Sequence, residues 1–153
     1  MLILRLESNY QTLILIMGRI LAIDYGQKRV GLAVTDNMKL IANGLTTVHV
    51  KDIWVFLDKY LTTEDVDMVV IGEPMDMQGN PSDSTRFIQP FVNKFQRKYP
   101  DVEVKRFDER FTSKMAFDTM IAGGLSKSKR KDKALVDKIS ATLILQSFMD
   151  SLC

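Results

Sequence analysis

Cysteine is almost absent from this chain of 153 residues: the single one, Cys153, is the last residue. No disulfide can form within the chain, and no cysteine zinc site can be built. Histidine is equally scarce, and the lone His49 argues against a zinc enzyme. Long apolar runs are missing as well. Leu2-Ile3-Leu4 and Leu13-Ile14-Leu15-Ile16 are apolar, but Arg5 and Glu7 stand between them, so no uninterrupted span is long enough to cross a bilayer. No small-residue cleavage site follows a clear apolar core, which argues against a signal peptide. The expectation is a cytoplasmic protein with no membrane partner.

What is present is ordinary in amount and uneven in placement. Apolar residues make up 46% and charged residues 26%, enough for one domain with a normal core. The net charge is only +2, yet residues 105–138 carry ten Lys/Arg against five Asp/Glu. The remainder carries eleven against fourteen. Such asymmetry suggests an anionic partner for one region. Met17-Gly18-Arg19 resembles a natural start just before the first strand, so residues 1–16 read as an N-terminal extension and 17–153 as the folded domain.

Periodicity then orders the elements. Residues 19–24 and 30–36 read as strands joined by a Gly26-Gln27-Lys28-Arg29 hairpin turn, in which Gly26 can take a positive φ. Residues 45–50 suit a third strand. Asp52 can cap a helix whose apolar stripe is Ile53, Phe56, Leu57, Tyr60 and Leu61. The run Met68-Val69-Val70-Ile71 within 67–72 suits a central strand buried on both faces. Residues 74–84 form a turn-rich loop. Phe87, Ile88, Phe91, Val92 and Phe95 repeat at helical spacing, with Pro90 expected to kink that helix or mark where its regular part begins. Residues 102–107 read as an edge strand with several charges. Thr112 or Ser113 can cap a short helix through Ile121, residues 127–133 form a basic loop, and 134–152 form a long final helix. Three meandering strands followed by α/β units imply a mixed sheet flanked by helices.

Acids mark the strand mouths: Asp24 in Ile23-Asp24-Tyr25-Gly26, Glu73 in Gly72-Glu73-Pro74 and Asp108 in Asp108-Glu109-Arg110. Asp137 stands on the final helix. Carboxylates beside an apolar sheet are costly unless positive charge offsets them, and a divalent cation is the simplest way to hold several together. The pattern points to metal-dependent chemistry on phosphate esters. Each acid also has a structural alternative: a turn cap for Asp24, a loop carboxylate for Glu73, an ion-paired one for Asp108, a solvated helix acid for Asp137.

Four blocks in order carry a family resemblance. They are Ile23-Asp24-Tyr25-Gly26 with Arg29-Val30-Gly31-Leu32-Ala33; Gly72-Glu73-Pro74 with Asp76, Gly79 and Asn80; Asp108-Glu109-Arg110-Phe111-Thr112-Ser113 with Ala116; and Lys131 with Val136-Asp137, Ala141 and Leu143-Ile144-Leu145-Gln146. Together they resemble the YqgF/RuvX family of pre-16S ribosomal RNA nucleases, once described as Holliday junction resolvases. The resemblance implies an RNase H-like fold with sheet order 3-2-1-4-5 and strand 2 antiparallel to the others. It implies a divalent-metal-dependent nuclease with acids on the first strand, near the fifth strand and on the final helix. Members often lack an acid at the end of the fourth strand, where this chain has Glu73.

The implied site is Asp24, Asp137 and either Glu73 or Asp108, holding two Mg²⁺ or Mn²⁺ ions. Adjacent strands lie about 4.8 Å apart, so Glu73 is in range of Asp24 if strand 4 neighbours strand 1. The resemblance favours Asp108, and both remain open. Alternation lets only one of Asp108 and Glu109 face the site; Asp108 is preferred, with Glu109 paired to a basic neighbour. Lys28, Arg29 and Arg110 could meet substrate phosphates. Lys127, Lys129, Arg130, Lys131 and Lys133 form a basic cluster suited to salt-sensitive nucleic-acid binding. Pre-ribosomal RNA is the substrate the resemblance implies and branched DNA its alternative. A third possibility is a nucleic-acid-binding factor with little catalysis, in transcription or ribosome assembly. An actin-like ATPase needs a second domain that 153 residues do not supply.

Overall fold

The computed structural model describes residues 18–76, 78–110, 118 and 122–152. The N-terminal extension and, apart from Asp118, the helix expected over 112–121 lie outside the described residues. The described chain forms β1 (Arg19–Tyr25), β2 (Arg29–Thr35), β3 (Ala42–His49), α1 (Ile53–Thr63), β4 (Val66–Glu73), α2 (Thr85–Lys98), β5 (Glu103–Asp108), the one-turn α3 (Lys127–Arg130) and α4 (Lys133–Ser151).

The sheet order is β3-β2-β1-β4-β5. β2 runs antiparallel to β1 and β3, while β4 and β5 run parallel to β1. Order and directions are those implied by the resemblance. β1 and β4 are central and apolar because both of their faces are covered. On one face Leu21, Ile23, Val69 and Ile71 pack with Ile53 and Leu57 of α1 and Ile88, Phe91, Val92 and Phe95 of α2. On the other, Ile20, Ala22, Ala33 and Val70 pack against Ala141, Ile144, Leu145 and Phe148 of α4. Successive residues of each strand thus feed opposite cores, as the pleat requires. No helix among the described residues is long and apolar enough to cross a membrane.

Several local expectations are corrected. β3 begins at Ala42, and the chain passes from it through a 3₁₀ turn, Val50–Asp52, straight into α1. Asp52 is already close to helical at φ −103°, ψ −1°, and makes no capping hydrogen bond. A capping side chain needs the extended backbone that this turn removes. His49, which is extended, caps the 3₁₀ turn instead, its Nδ1 accepting from Lys51 N at 3.2 Å. Gly26 does not take a positive φ. Its reason is space, since a Cβ there would stand 2.7 Å from the Arg29 carbonyl oxygen that Gly26 N–H bonds. Helix α2 runs through Pro90, and its regular part begins five residues before it, at Thr85. The basic segment is not all loop: Ser126 accepts from Lys129 N at 3.2 Å and caps α3.

Helix α4 lies very close to the sheet. A Cβ on Gly31 of β2 would fall 2.2 Å from the Asp137 carbonyl oxygen and 2.6 Å from its carbon. Both atoms belong to helix backbone, which cannot move aside singly. Gly31→Ala should therefore lift the first turns of α4 and destabilise the protein by about 1–3 kcal/mol, the usual cost of overpacking. Urea or guanidinium midpoints of the two proteins measure this directly. An unchanged midpoint would mean that the helix can shift without loss.

Candidate active site

Asp24 is the sixth residue of β1, and its partner across the antiparallel ladder is Gly31. Ile20 and Ala22 face α4, so alternation sends Asp24 to the same face. There it meets the helix that Gly31 admits. On the other side of β1, Ile23 pairs with Ile71, which sets Asp24 beside Gly72 of β4. Gly72 is a second opening in the sheet surface: a Cβ there would stand 2.3 Å from Glu109 Oε2. The carboxyl of Glu109 occupies that space, next to Ile144 of α4.

The acid that reaches Asp24 from β5 is thus Glu109, not the preferred Asp108. Phe107 packs in the α4 core, edge-on to Phe148, and Glu109 follows it at the same parity. Its backbone stays tied to β4, with Glu109 N–H donating to Glu73 O at 3.1 Å. Asp108 has the opposite parity. Its Oδ2 accepts from Arg110 Nε at 2.7 Å and its Oδ1 from Arg110 N at 3.0 Å. Glu73 pairs with Asp108 across the ladder and shares the parity of Val69 and Ile71. Strand 4 does neighbour strand 1, but Glu73 falls one residue past the position that faces Asp24.

Crowding shapes the electrostatics. Burial, then the negative charge of Asp137, pushes the Asp24 carboxyl up to about 6. Burial, then the charge of Asp24, pushes Glu109 up to about 8. Protonated Glu109 donates a hydrogen bond to Asp24, which favours the ionised form of Asp24 and the neutral form of Glu109. The two carboxyls titrate as a pair. Asp137, on the second turn of α4, is held by Arg29 at the start of β2, with Arg29 Nε donating to Asp137 Oδ2 at 2.7 Å.

Carboxyls crowded at the edge of an apolar core, Asp24 against both Asp137 and Glu109, suit a hard divalent cation, which prefers oxygen ligands. The carboxyl oxygens of Asp24, Glu109 and Asp137 are of the donor type that Mg²⁺ or Mn²⁺ would take. Among the described residues, however, no three acidic, His or Cys side chains already converge with ligand spacing.

The basic residues divide. Arg130, Lys131 and Lys133 line one open groove with Arg29, Val136 and Asp137, a cavity of about 580 Å³. Lys129 lies instead in a neighbouring depression with Leu125, Asp132 and Lys138. Lys127 and Lys28 are exposed. Arg110, besides holding Asp108, lies 3.2 Å from where a Cβ of Gly79 would be, against the loop that follows β4. The one residue missed from the sequence is Glu109. Gly72 was the available signal, because glycine inside a buried strand marks a close approach by another group.

Comparison with known proteins agrees with this fold. The model of the family described as "RuvX: Holliday junction resolvase" matches residues 18–151. A Flavobacterium psychrophilum protein named "Putative pre-16S rRNA nuclease" is 57% identical over 133 residues, covering 87% of this chain and 97% of its own. A protein of the same name from Christiangramia forsetii is 55% identical over 133 residues, covering 87% and 98%. Among solved structures, the one described as "T. thermophilus RuvC in complex with Holliday junction substrate" superposes with a TM-score of 0.51 at 16% identity, covering 88% of this chain and 96% of that one. That likeness concerns the RNase H-like fold. With the full sheet, the acidic cluster and nearly all of the described chain inside the match, this protein belongs to the RuvX family.

Proposed function

We propose that the protein is a divalent-metal-dependent endonuclease that hydrolyses phosphodiester bonds in pre-16S ribosomal RNA. The observation that carries this reading is the approach of Asp24, Glu109 and Asp137 on one face of the sheet, beside a groove walled by Arg29, Arg130, Lys131 and Lys133. The names of relatives more than half identical supply the RNA substrate. Branched DNA is the second reading, favoured by the family's description.

Two Mg²⁺ or Mn²⁺ ions, bound by the three carboxylates, would supply activation of the attacking water and stabilisation of the departing 3′ oxygen. The chain's residues do the rest. Asp24, Glu109 and Asp137 furnish the negative charge that a cation needs, and Glu109 must give up its proton when one binds. Gly31 and Gly72 leave room for the helix and for the Glu109 carboxyl. The basic groove binds the phosphate backbone and orients it across the acids. Water attacks phosphorus, the P–O3′ bond breaks, and the products carry a 5′ phosphate and a 3′ hydroxyl.

Asp24→Asn and Glu109→Gln should each lower cleavage by several powers of ten while circular dichroism stays unchanged. Asp108→Asn and Glu73→Gln should cost less than about tenfold, because their side chains belong to the other face. Initial rates with Mn²⁺ on precursor ribosomal RNA and on four-way DNA junctions test the residues and the substrate together. If Asp108→Asn is as damaging as Asp24→Asn and Glu109→Gln is mild, Glu109 is misassigned.

The raised carboxyls also predict a pH dependence. Their pKa values are higher folded than unfolded, so the unfolded chain releases these protons first as pH rises. Metal-free protein should accordingly lose stability from about pH 4 to pH 8, the interval between the ordinary carboxylate range and the Glu109 value. Added Mn²⁺ should offset the loss most at the alkaline end, where both acids can ionise. Thermal melts across that range, with EDTA or Mn²⁺, measure both trends. Glu109→Gln should flatten the metal-free trend.

Groove cations should be separable from surface ones. Neutralising Arg130, Lys131 and Lys133 should reduce the slope of log affinity against log salt by roughly 0.7 per lost contact for single-stranded RNA. Neutralising Lys127 and Lys129 should change it less. Titrations with Ca²⁺ in place of Mn²⁺, to slow cleavage, give both slopes. Equal slopes for the two variants would mean that the groove is not the RNA path.

A further inference from the structure

Arg29 sits between the acids and the groove, in contact with both. Its Nε donates to Asp137 Oδ2 at 2.7 Å, and it lines the cavity that Arg130, Lys131 and Lys133 also line. Neither partner is sealed in: the Arg29 side chain is 35% and the Asp137 side chain 24% exposed. Solvent reaches both partners and screens the pair, which lessens its strength. A phosphodiester entering the groove is a competing partner for the guanidinium, because its two non-bridging oxygens can accept from Arg in bidentate fashion, whereas Asp137 accepts from Nε. Asp137, meanwhile, is held back from a cation by this ion pair. Its charge acts on Asp24, but its oxygen is committed to Arg29, and the described acids do not converge as a three-carboxylate set.

We propose that Arg29 is a positioning residue that couples substrate to metal: it holds Asp137 in the free protein and releases it when a backbone phosphate of the nucleic acid takes its place. The inference rests on the metal-dependent function proposed above. Its consequence is ordered loading. Without nucleic acid, the site presents Asp24 and Glu109 with Asp137 neutralised, and cations bind weakly. With nucleic acid in the groove, Asp137 is freed from its ion pair and the third carboxylate becomes available. By linkage, whatever factor the nucleic acid adds to cation affinity, the cation adds to nucleic-acid affinity. An enzyme built this way keeps its cations loosely held until a strand is in place.

Mn²⁺ binding to the full chain, followed by calorimetry or electron paramagnetic resonance, tests this without any cleavage. In the absence of nucleic acid, Arg29→Gln should bind Mn²⁺ roughly five- to tenfold more tightly than the wild type, since it removes both the competing ion pair and a nearby positive charge. Arg29→Lys, which keeps the charge, should return affinity close to the wild-type value. A residue that only contacts phosphate, or only supports the fold, predicts unchanged or weaker Mn²⁺ binding in Arg29→Gln, and either result overturns the proposal. A second measurement needs no variant: in metal-free wild-type protein the Arg29 Nε–H resonance should move when a single-stranded RNA 20-mer is added, and a resonance that stays in place also overturns it. Asp24→Asn separates the two levels of inference. Mn²⁺ binding that Asp24→Asn abolishes but Arg29→Gln leaves unchanged removes only the coupling, whereas a wild-type protein that binds no Mn²⁺ removes the metal-dependent function and the coupling with it.

Discussion

The contact between helix α4 and the bare backbone of Gly31 sets the position of everything functional. A helix cannot ride this close to a sheet over ordinary side chains. Here small residues, Ala22, Ala33 and Ala141, continue the contact that glycine begins. The closeness places Asp137 over the strand pair that carries Asp24. It also aligns the start of α4 with the basic residues just before it, so the acids and the groove share one helix. Asp132 secures that start by accepting from Leu135 N at 3.3 Å.

Bringing carboxyls together at the rim of an apolar core works against stability. Asp24 and Glu109 both have raised pKa values, with desolvation the largest cause for each, followed by the charge of Asp137 for Asp24 and the charge of Asp24 for Glu109. The fold tolerates this because one proton is shared between the two and Arg29 offsets the third acid. In the proposed function a small hard cation would take the place of both.

Positive charge is placed with equal economy of position. Arg130, Lys131 and Lys133 precede or open α4, whose N-terminal dipole adds to their field. Arg29 faces them from β2, across the groove and beside Asp137. In the proposed function a phosphate backbone drawn in by this field would arrive next to the acids, so that attraction and placement would come from the same few residues.

Much of the architecture was legible in the chain itself. Continuous apolar runs at Leu21–Ile23 and Met68–Ile71 specify strands covered on both faces, and the stripe from Phe87 to Phe95 specifies α2, because burial demands those periods. Four ordered blocks sufficed for the family, the sheet order and the roles expected of Asp24 and Asp137. What sequence could not decide was which acid at the end of β5 meets Asp24. Both faces of β1 and β4 are apolar, so alternation there carries no label for the face that α4 covers. Asp108 and Glu109 are adjacent, and a shift of one residue exchanges their faces completely. Only the register of β4 with β5, the seat of Phe107 against Phe148 and the opening at Gly72 assign the position to Glu109. The pairing of Arg29 with Asp137, 108 residues apart in sequence, likewise exists only after α4 has settled on the sheet.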